Sequence, residues 1–261
     1  MTTSLAIAVA VGFCLFGGAI LGTIIGRRLP LDHQGDATKS VVSASMAVVG
    51  TMSALVIGLL ISNGSTDFKA RAAKVMVLGN EIVQLDTLLG RYGPGASSVR
   101  AGLRLYARTK LEDLFPTDPR LRPNVDRAAT SAILNGVEDG ILALPTVGER
   151  QTWLRDQALQ LALTVNETQA ELSRENVGSL PQPFVAVLVF WLTALFVSFG
   201  LFAPRNGTTL TAILLCAACI AMAIKLVADM NTPLDGRILL TRPPIHISGE
   251  PLRHAIESLG R

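Results

Sequence analysis

Lys225 and Asp229 stand one helical turn apart at the end of an apolar run, and Arg100, Arg104 and Arg108 repeat at intervals of four in a polar one. Cys216 and Cys219 form a C-x-x-C. An ionisable pair at membrane depth can be part of an ion path. Lys225 is also close enough to the helix end to snorkel, with Asp229 as its i,i+4 partner, so a structural pair is the other reading. The arginine stripe makes a cationic ridge that can concentrate anions near a vestibule. It is equally a solvated face whose arginines pair with Glu81, Asp86, Glu112 or Asp113. The C-x-x-C would need further ligands to hold a metal, and the nearest histidine, His246, lies outside the apolar runs, so neither a metal nor a cofactor is expected. Cys14, Cys216 and Cys219 are read as small buried residues of apolar segments. P-loop, dinucleotide glycine, H-E-x-x-H and G-x-S-x-G signatures are absent from the sequence, and His33, His246 and His254 are scattered, which argues against an enzyme.

The elements that must carry Lys225, Asp229 and the cysteines belong in lipid. Of 261 residues, 49% are hydrophobic and 16% charged, against roughly 25% charged in soluble domains, and the mean hydropathy is +0.44. No Lys, Arg, Asp or Glu occurs in 1–26, 41–66, 176–204 or 206–224. About 20 helical residues cross a hydrocarbon core of about 30 Å, so each run is long enough for one span. The fold class expected is all-α: four transmembrane helices with a helical extramembrane domain inserted between the second and third. The divisions are 1–63 for spans one and two, 64–182 for the helical domain, 183–229 for spans three and four, and 230–261 for a tail ending in a short amphipathic helix.

Between Asn63 and Gln182 lie 14 of the 23 basic and 14 of the 20 acidic residues, a neutral balance with no basic patch that would suit nucleic acid. Val75, Leu78, Ile82, Leu85 and Leu89 alternate three and four apart, continuing the second span as a coiled-coil seam that stops at Gly93–Pro94–Gly95. Helices are expected over 97–114, 124–143 and 147–177, the last with Leu154, Ala158, Leu161, Val165, Thr168 and Leu172 on one face. In the tail, Ser248 can cap a helix that has Pro251 in its first turn. Pro233 and Gly236 make a turn that brings this helix back to bury Leu252, Ile256 and Leu259 on the Val75–Leu85 seam.

Within the spans, Gly18, Gly22 and Gly26 recur every four residues, which permits close helix approach and points to a homo-oligomer. Ser43, Ala47, Gly50, Ala54 and Gly58 form a second small-residue stripe. It either packs a neighbouring helix or lines a conduit between protomers, with Ile57 and Ile61 beside it as a hydrophobic constriction. The third span, rich in Phe with Trp191, is assigned to the periphery. Four spans place both termini and the helical domain on one side. Basic residues near span ends favour that side as cytoplasmic, six against four.

The four-span plan and the stretch Asp229–Met230–Asn231–Thr232–Pro233–Leu234–Asp235–Gly236, followed by Ile247–Ser248–Gly249–Glu250–Pro251–Leu252, resemble a bacterial bestrophin-like family of integral membrane proteins of unknown function. Asn231 stands where that pattern has an acid and Leu234 where it has an aromatic. The resemblance implies a relation to bestrophins, oligomeric anion channels with four-span protomers around a pore. Of their calcium-sensing acidic run only Asp235 is present. The expected function is a homo-oligomeric, anion-conducting channel of a bacterial inner membrane, passing ions such as chloride, with the second span at the pore. The alternative is a membrane-anchored scaffold or regulator whose cytoplasmic helices bind a partner.

Overall fold

The structure is a computed structural model and describes residues 3–28, 30, 35–118, 123–124, 127–175, 182–204, 206–231 and 247–259. All regular elements among them are helical: α1 (Thr3–Gly26), α2 (Asp36–Tyr92), α3 (Ser97–Leu114), α4 (Ala128–Leu142), α5 (Glu149–Glu175), α6 (Gln182–Phe202), α7 (Gly207–Asn231) and α8 (Glu250–Ser258). Four of these, α1, α2, α6 and α7, contain stretches long and apolar enough to cross a membrane. The chain divides into two units, Met1–Thr66 with Ser179–Thr232, and Asp67–Gly178 with Pro233–Arg261. The 57 residues of α2 run unbroken from the first unit into the second.

The first unit is a bundle of the apolar helices. Its core is Val11, Leu15 and Ala19 of α1, Leu188, Leu192 and Phe196 of α6, and Ala217 and Ile224 of α7. The α1 glycines face α6. A Cβ on Gly22 would lie 2.0 Å from the Val197 carbonyl oxygen, one on Gly26 2.7 Å from that of Leu201, and one on Gly18 3.1 Å from Thr193 Cγ2. From the other side, a Cβ on Gly200 would lie 1.9 Å from the Ala19 carbonyl oxygen. The two helices thus meet backbone to backbone, the use lipid makes of glycine where no hydrophobic force drives association.

Two expectations are corrected here. The Gly18–Gly22–Gly26 stripe is consumed by a contact inside the protomer and so gives no argument for an oligomer. The third span packs on α1 through Thr193, Val197 and Gly200 and buries Phe196, while Phe184, Phe190 and Phe199 are exposed. Thr23 and Thr193 donate to the carbonyls of Ala19 and Val189, at 2.9 and 2.7 Å, which satisfies their hydroxyls in apolar surroundings. The three cysteines are free and exposed on this bundle rather than buried. In lipid both faces of a helix are apolar, so hydrophobicity along the chain does not tell inside from outside.

The second unit is built on the seam read from the sequence. Val75, Leu78, Ile82, Leu85 and Leu89 are buried together with Leu103, Tyr106 and Leu114 of α3, Leu134 and Ile141 of α4, and Leu154, Ala162 and Val165 of α5. The α2–α3 junction turns at Gly93, whose φ of 109° favours glycine. The tail helix joins the same core with Leu252, Ala255 and Leu259, all fully buried. It approaches so closely that a Cβ on Gly79 would lie 2.9 Å from the Pro251 carbonyl oxygen. The Glu250 N–H donates to Ser248 Oγ at 3.1 Å, supplying the helix start with the partner its first turn lacks. Pro233 and Gly236, the proposed tail turn, lie outside the described residues.

Candidate functional site

The apolar part of α2 differs from the other spans in how little of it the protomer covers: 6% of its most apolar window is buried, against 33% for α1. At 100° per residue it has three faces. One lies against the bundle through Val56, Ile57 and Leu60, which pack on its core, and through Gly50, where a Cβ would lie 3.2 Å from Leu195 Cδ1. The second is bulky and exposed: Val48, Met52, Leu55 and Leu59. The third is small and exposed: Ser43, Ala47, Ala54 and Gly58, with half-buried Ile61 continuing it. Among the described residues nothing lies within 4 Å of where a Gly58 Cβ would stand. The predicted stripe is therefore split: Ser43, Ala47, Ala54, Gly58 and Ile61 are brought to one open surface, whereas Gly50 and Ile57 turn toward their own protomer.

On α7, Lys225 Nζ donates to Asp229 Oδ2 at 2.5 Å, with the lysine side chain 31% exposed and the aspartate 11%. The pair forms within one helix, as the i,i+4 reading expects.

The arginine stripe of α3 does not act as a unit. Arg100 is held by both carboxylate oxygens of Asp86, through Nε at 2.7 Å and Nη2 at 2.6 Å, the bidentate geometry in which a guanidinium binds most strongly. That hydrogen bond raises the Arg100 pKa above its ordinary value. Arg104 is half-buried with its Nε buried and without a hydrogen-bond partner, and Arg108 is exposed. The other three acids named as partners are engaged elsewhere, Glu81 by Thr168 Oγ1. Glu112 accepts from the Thr117 N–H at 2.7 Å, and Asp113 lies 3.0 Å from Arg127 Nη1 and accepts from Thr130 Oγ1.

Sequence reasoning missed a polar seam inside the second unit. Thr168 donates to Glu81 Oε1 at 3.1 Å while Glu81 Oε2 is buried without a hydrogen-bond partner. Tyr106 donates to Gln169 Oε1 at 2.7 Å, and Gln169 donates onward to Ser131 at 3.0 Å. Burial pushes the Glu81 carboxyl above its ordinary range, the Thr168 hydrogen bond opposes that, and the charges of Glu167 and Glu171 add to it. Burial likewise pushes the Tyr106 phenol up, so it remains a neutral donor. The available signal was Thr168, a polar residue at a position of α5 whose neighbours on that face are apolar.

A family model for the bestrophin-like domain matches residues 13–245. The chain belongs to the bestrophin-like family. With the four apolar helices this makes it an integral membrane protein. Its fold is similar along the whole chain to a bestrophin homologue from Klebsiella pneumoniae crystallised as a single-residue variant, at 14% identity, covering 100% of both chains with a TM-score of 0.68. A second variant of the Klebsiella pneumoniae homologue matches at 15% identity over 95% of this chain and 97% of that one, with a TM-score of 0.62. At such identity the likeness concerns the fold alone. No curated protein matches the sequence significantly.

Proposed function

We propose that this bestrophin-like protein assembles as a homo-oligomer that conducts inorganic anions such as chloride, with the Ser43–Ala47–Ala54–Gly58 face of α2 along the pore and Ile61 at its neck. The observation that supports this reading is that α2, alone among the four apolar helices in being almost uncovered, exposes a small-residue face in a chain of the bestrophin-like family. Small side chains leave width for a hydrated ion, and a branched aliphatic ring at one level narrows it and gates by dewetting. In this reading the termini and the second unit are cytoplasmic and the membrane is a bacterial inner membrane, on the balance of basic residues near the span ends. Purified protein reconstituted into liposomes with chloride and potassium gradients tests it. Chloride flux above that of empty vesicles is expected, and its absence with correctly inserted protein refutes conduction.

A scaffold reading has its own support in the second unit, where Leu142, Val147 and Trp153, about the α4–α5 connection, are 56%, 82% and 57% exposed. Large apolar side chains exposed around one connection suit a protein partner. Trp153→Ser would abolish capture of such a partner and leave chloride flux unchanged.

A further inference from the structure

Where α5 packs on α2 in the second unit, the contact contains a buried acid. Glu81 is 8% exposed, and Thr168, also buried, gives it one donor, at 3.1 Å to Oε1. Its other oxygen, Oε2, is buried with no hydrogen-bond partner. An ionised carboxylate has about four acceptor sites, so this one is poorly provided for. The neighbouring charges acting on it, Glu167 and Glu171 on α5, are of its own sign. Lys74, two turns earlier on α2, pairs with Glu171 at 3.0 Å. From α3 comes Tyr106, a neutral phenol that feels the charges of both Glu81 and Asp113 and gives its hydroxyl to Gln169. Behind it stand Gln169 and Ser131 of α4, both uncharged. Burial and the like charges hold the Glu81 pKa above the ordinary carboxyl value, against the Thr168 hydrogen bond.

The two protonation states make different demands on this contact. As a neutral acid Glu81 leaves one hydroxyl without an acceptor. As a carboxylate it leaves a charged oxygen dry and facing two others, which is the more costly state. Water can reach Oε2 where the two helices part. Glu167 and Glu171, on the same stretch of α5 as Thr168, are already exposed, so solvent lies one turn away. We propose that Glu81 and Thr168 form a proton-operated latch between α2 and α5, closed when the carboxyl is protonated and opening locally over 165–172 when it is ionised. The closed state holds the proton more tightly than the opened one. Closure is therefore strongest at low pH and weakens as pH climbs from the ordinary carboxyl range to the raised value. The latch is contained in the second unit and is independent of whether the protein conducts.

Hydrogen exchange on the full chain in mild detergent, read between about pH 5 and about pH 8 and corrected for the intrinsic pH dependence of amide exchange, tests the latch. Protection over 165–172 is expected to fall at least about threefold across that range while 133–141 of α4 keeps its own. Glu81→Gln, which cannot ionise, should abolish the fall. Thr168→Val, which removes the donor to the carboxylate, should extend the fall to higher pH. Wild-type protection over 165–172 that does not change with pH overturns the latch, and so does a fall that persists in Glu81→Gln. A fall of equal size over 133–141 overturns it too, because the whole unit would then be unfolding. Should Glu81→Gln fail to fold, a Thr168→Val chain whose fall ends at the wild-type pH overturns it.

Discussion

Gly22 and Val197 are in backbone contact: a methyl group on Gly22 would lie 2.0 Å from the Val197 carbonyl oxygen and 2.8 Å from its carbon. Neither group belongs to a flexible side chain, so any substitution must separate α1 from α6. Gly22→Ala should therefore destabilise the protomer itself, by at least about 2 kcal/mol on the scale of overpacked cores. Gly17→Ala, with open space around it, is the control and should be neutral. Thermal unfolding in detergent measures both, and a Gly22→Ala chain as stable as the wild type would show that the helices do not meet there.

The bidentate pair of Arg100 and Asp86 is partly shielded, the arginine side chain 28% exposed and the aspartate 10%. Asp86→Asn leaves the guanidinium with a weaker acceptor and should lower stability by about 1–3 kcal/mol. If Arg100 instead served the anion path, its loss would alter chloride flux in proportion. A double-mutant cycle with Arg100→Gln separates the two: a coupling of about 1 kcal/mol or more with unchanged flux assigns the arginine to structure.

Glu81 gives the protein a pH dependence whose sign follows from its raised pKa. The folded state holds the proton more tightly than the unfolded one, so the penalty of ionising this buried carboxyl grows as pH climbs from the ordinary carboxyl range through the raised native value, and stability falls over that interval. The groups facing it are the acids Glu167 and Glu171, the latter 3.0 Å from Lys74, and Thr168 and Tyr106. Glu81→Gln should remove the dependence, matching the wild type near pH 4 and exceeding it near pH 8. Tm measured across that range checks it, and a wild-type Tm that rises through the interval contradicts the assignment.

Deleting 248–261 removes Leu252, Ala255 and Leu259 from the core of the second unit. Leu252→Ala alone should cost about 2–5 kcal/mol. Hydrogen exchange across 70–90 should accelerate in the truncated chain, since Gly79 and its neighbours would lose the cover of Pro251. Protection unchanged there would mean that α8 does not dock.

Different parts of the fold were legible for different reasons. In the second unit burial follows hydrophobicity, so the Val75–Leu89 seam, the α3 limits Ser97–Leu114 and the tail helix with Leu252 and Leu259 could be read from periodicity. The spans could be found but their faces could not, because in lipid Phe13 outside and Leu15 inside are equally apolar. Hence Cys216, apolar in its sequence context, lies exposed rather than buried. Ala255 escaped notice because a small residue carries no strong signal of burial. The polar seam escaped too, since a buried Glu81 and an exposed Glu112 are indistinguishable until their neighbours are known.

The split of the α2 stripe refines what mutations in it should do. Ile57 packs on the core of its own protomer, so Ile57→Ala removes buried methylene groups and should lower protomer stability by about 2–4 kcal/mol whatever it does to flux. Ile61 continues the open face, so Ile61→Ala should widen the neck, raising chloride flux several-fold with little effect on stability. Ala54→Trp, on the small face, should block flux. Leu55→Trp, on the bulky face and 73% exposed, should be silent, since the proposed pore leaves that face to lipid. Flux from all four in liposomes, with Tm measured alongside, locates the conduit. Blockage by Leu55→Trp with Ala54→Trp unaffected would put the pore on the other exposed face of α2, whereas insensitivity to both would remove this helix from the ion path.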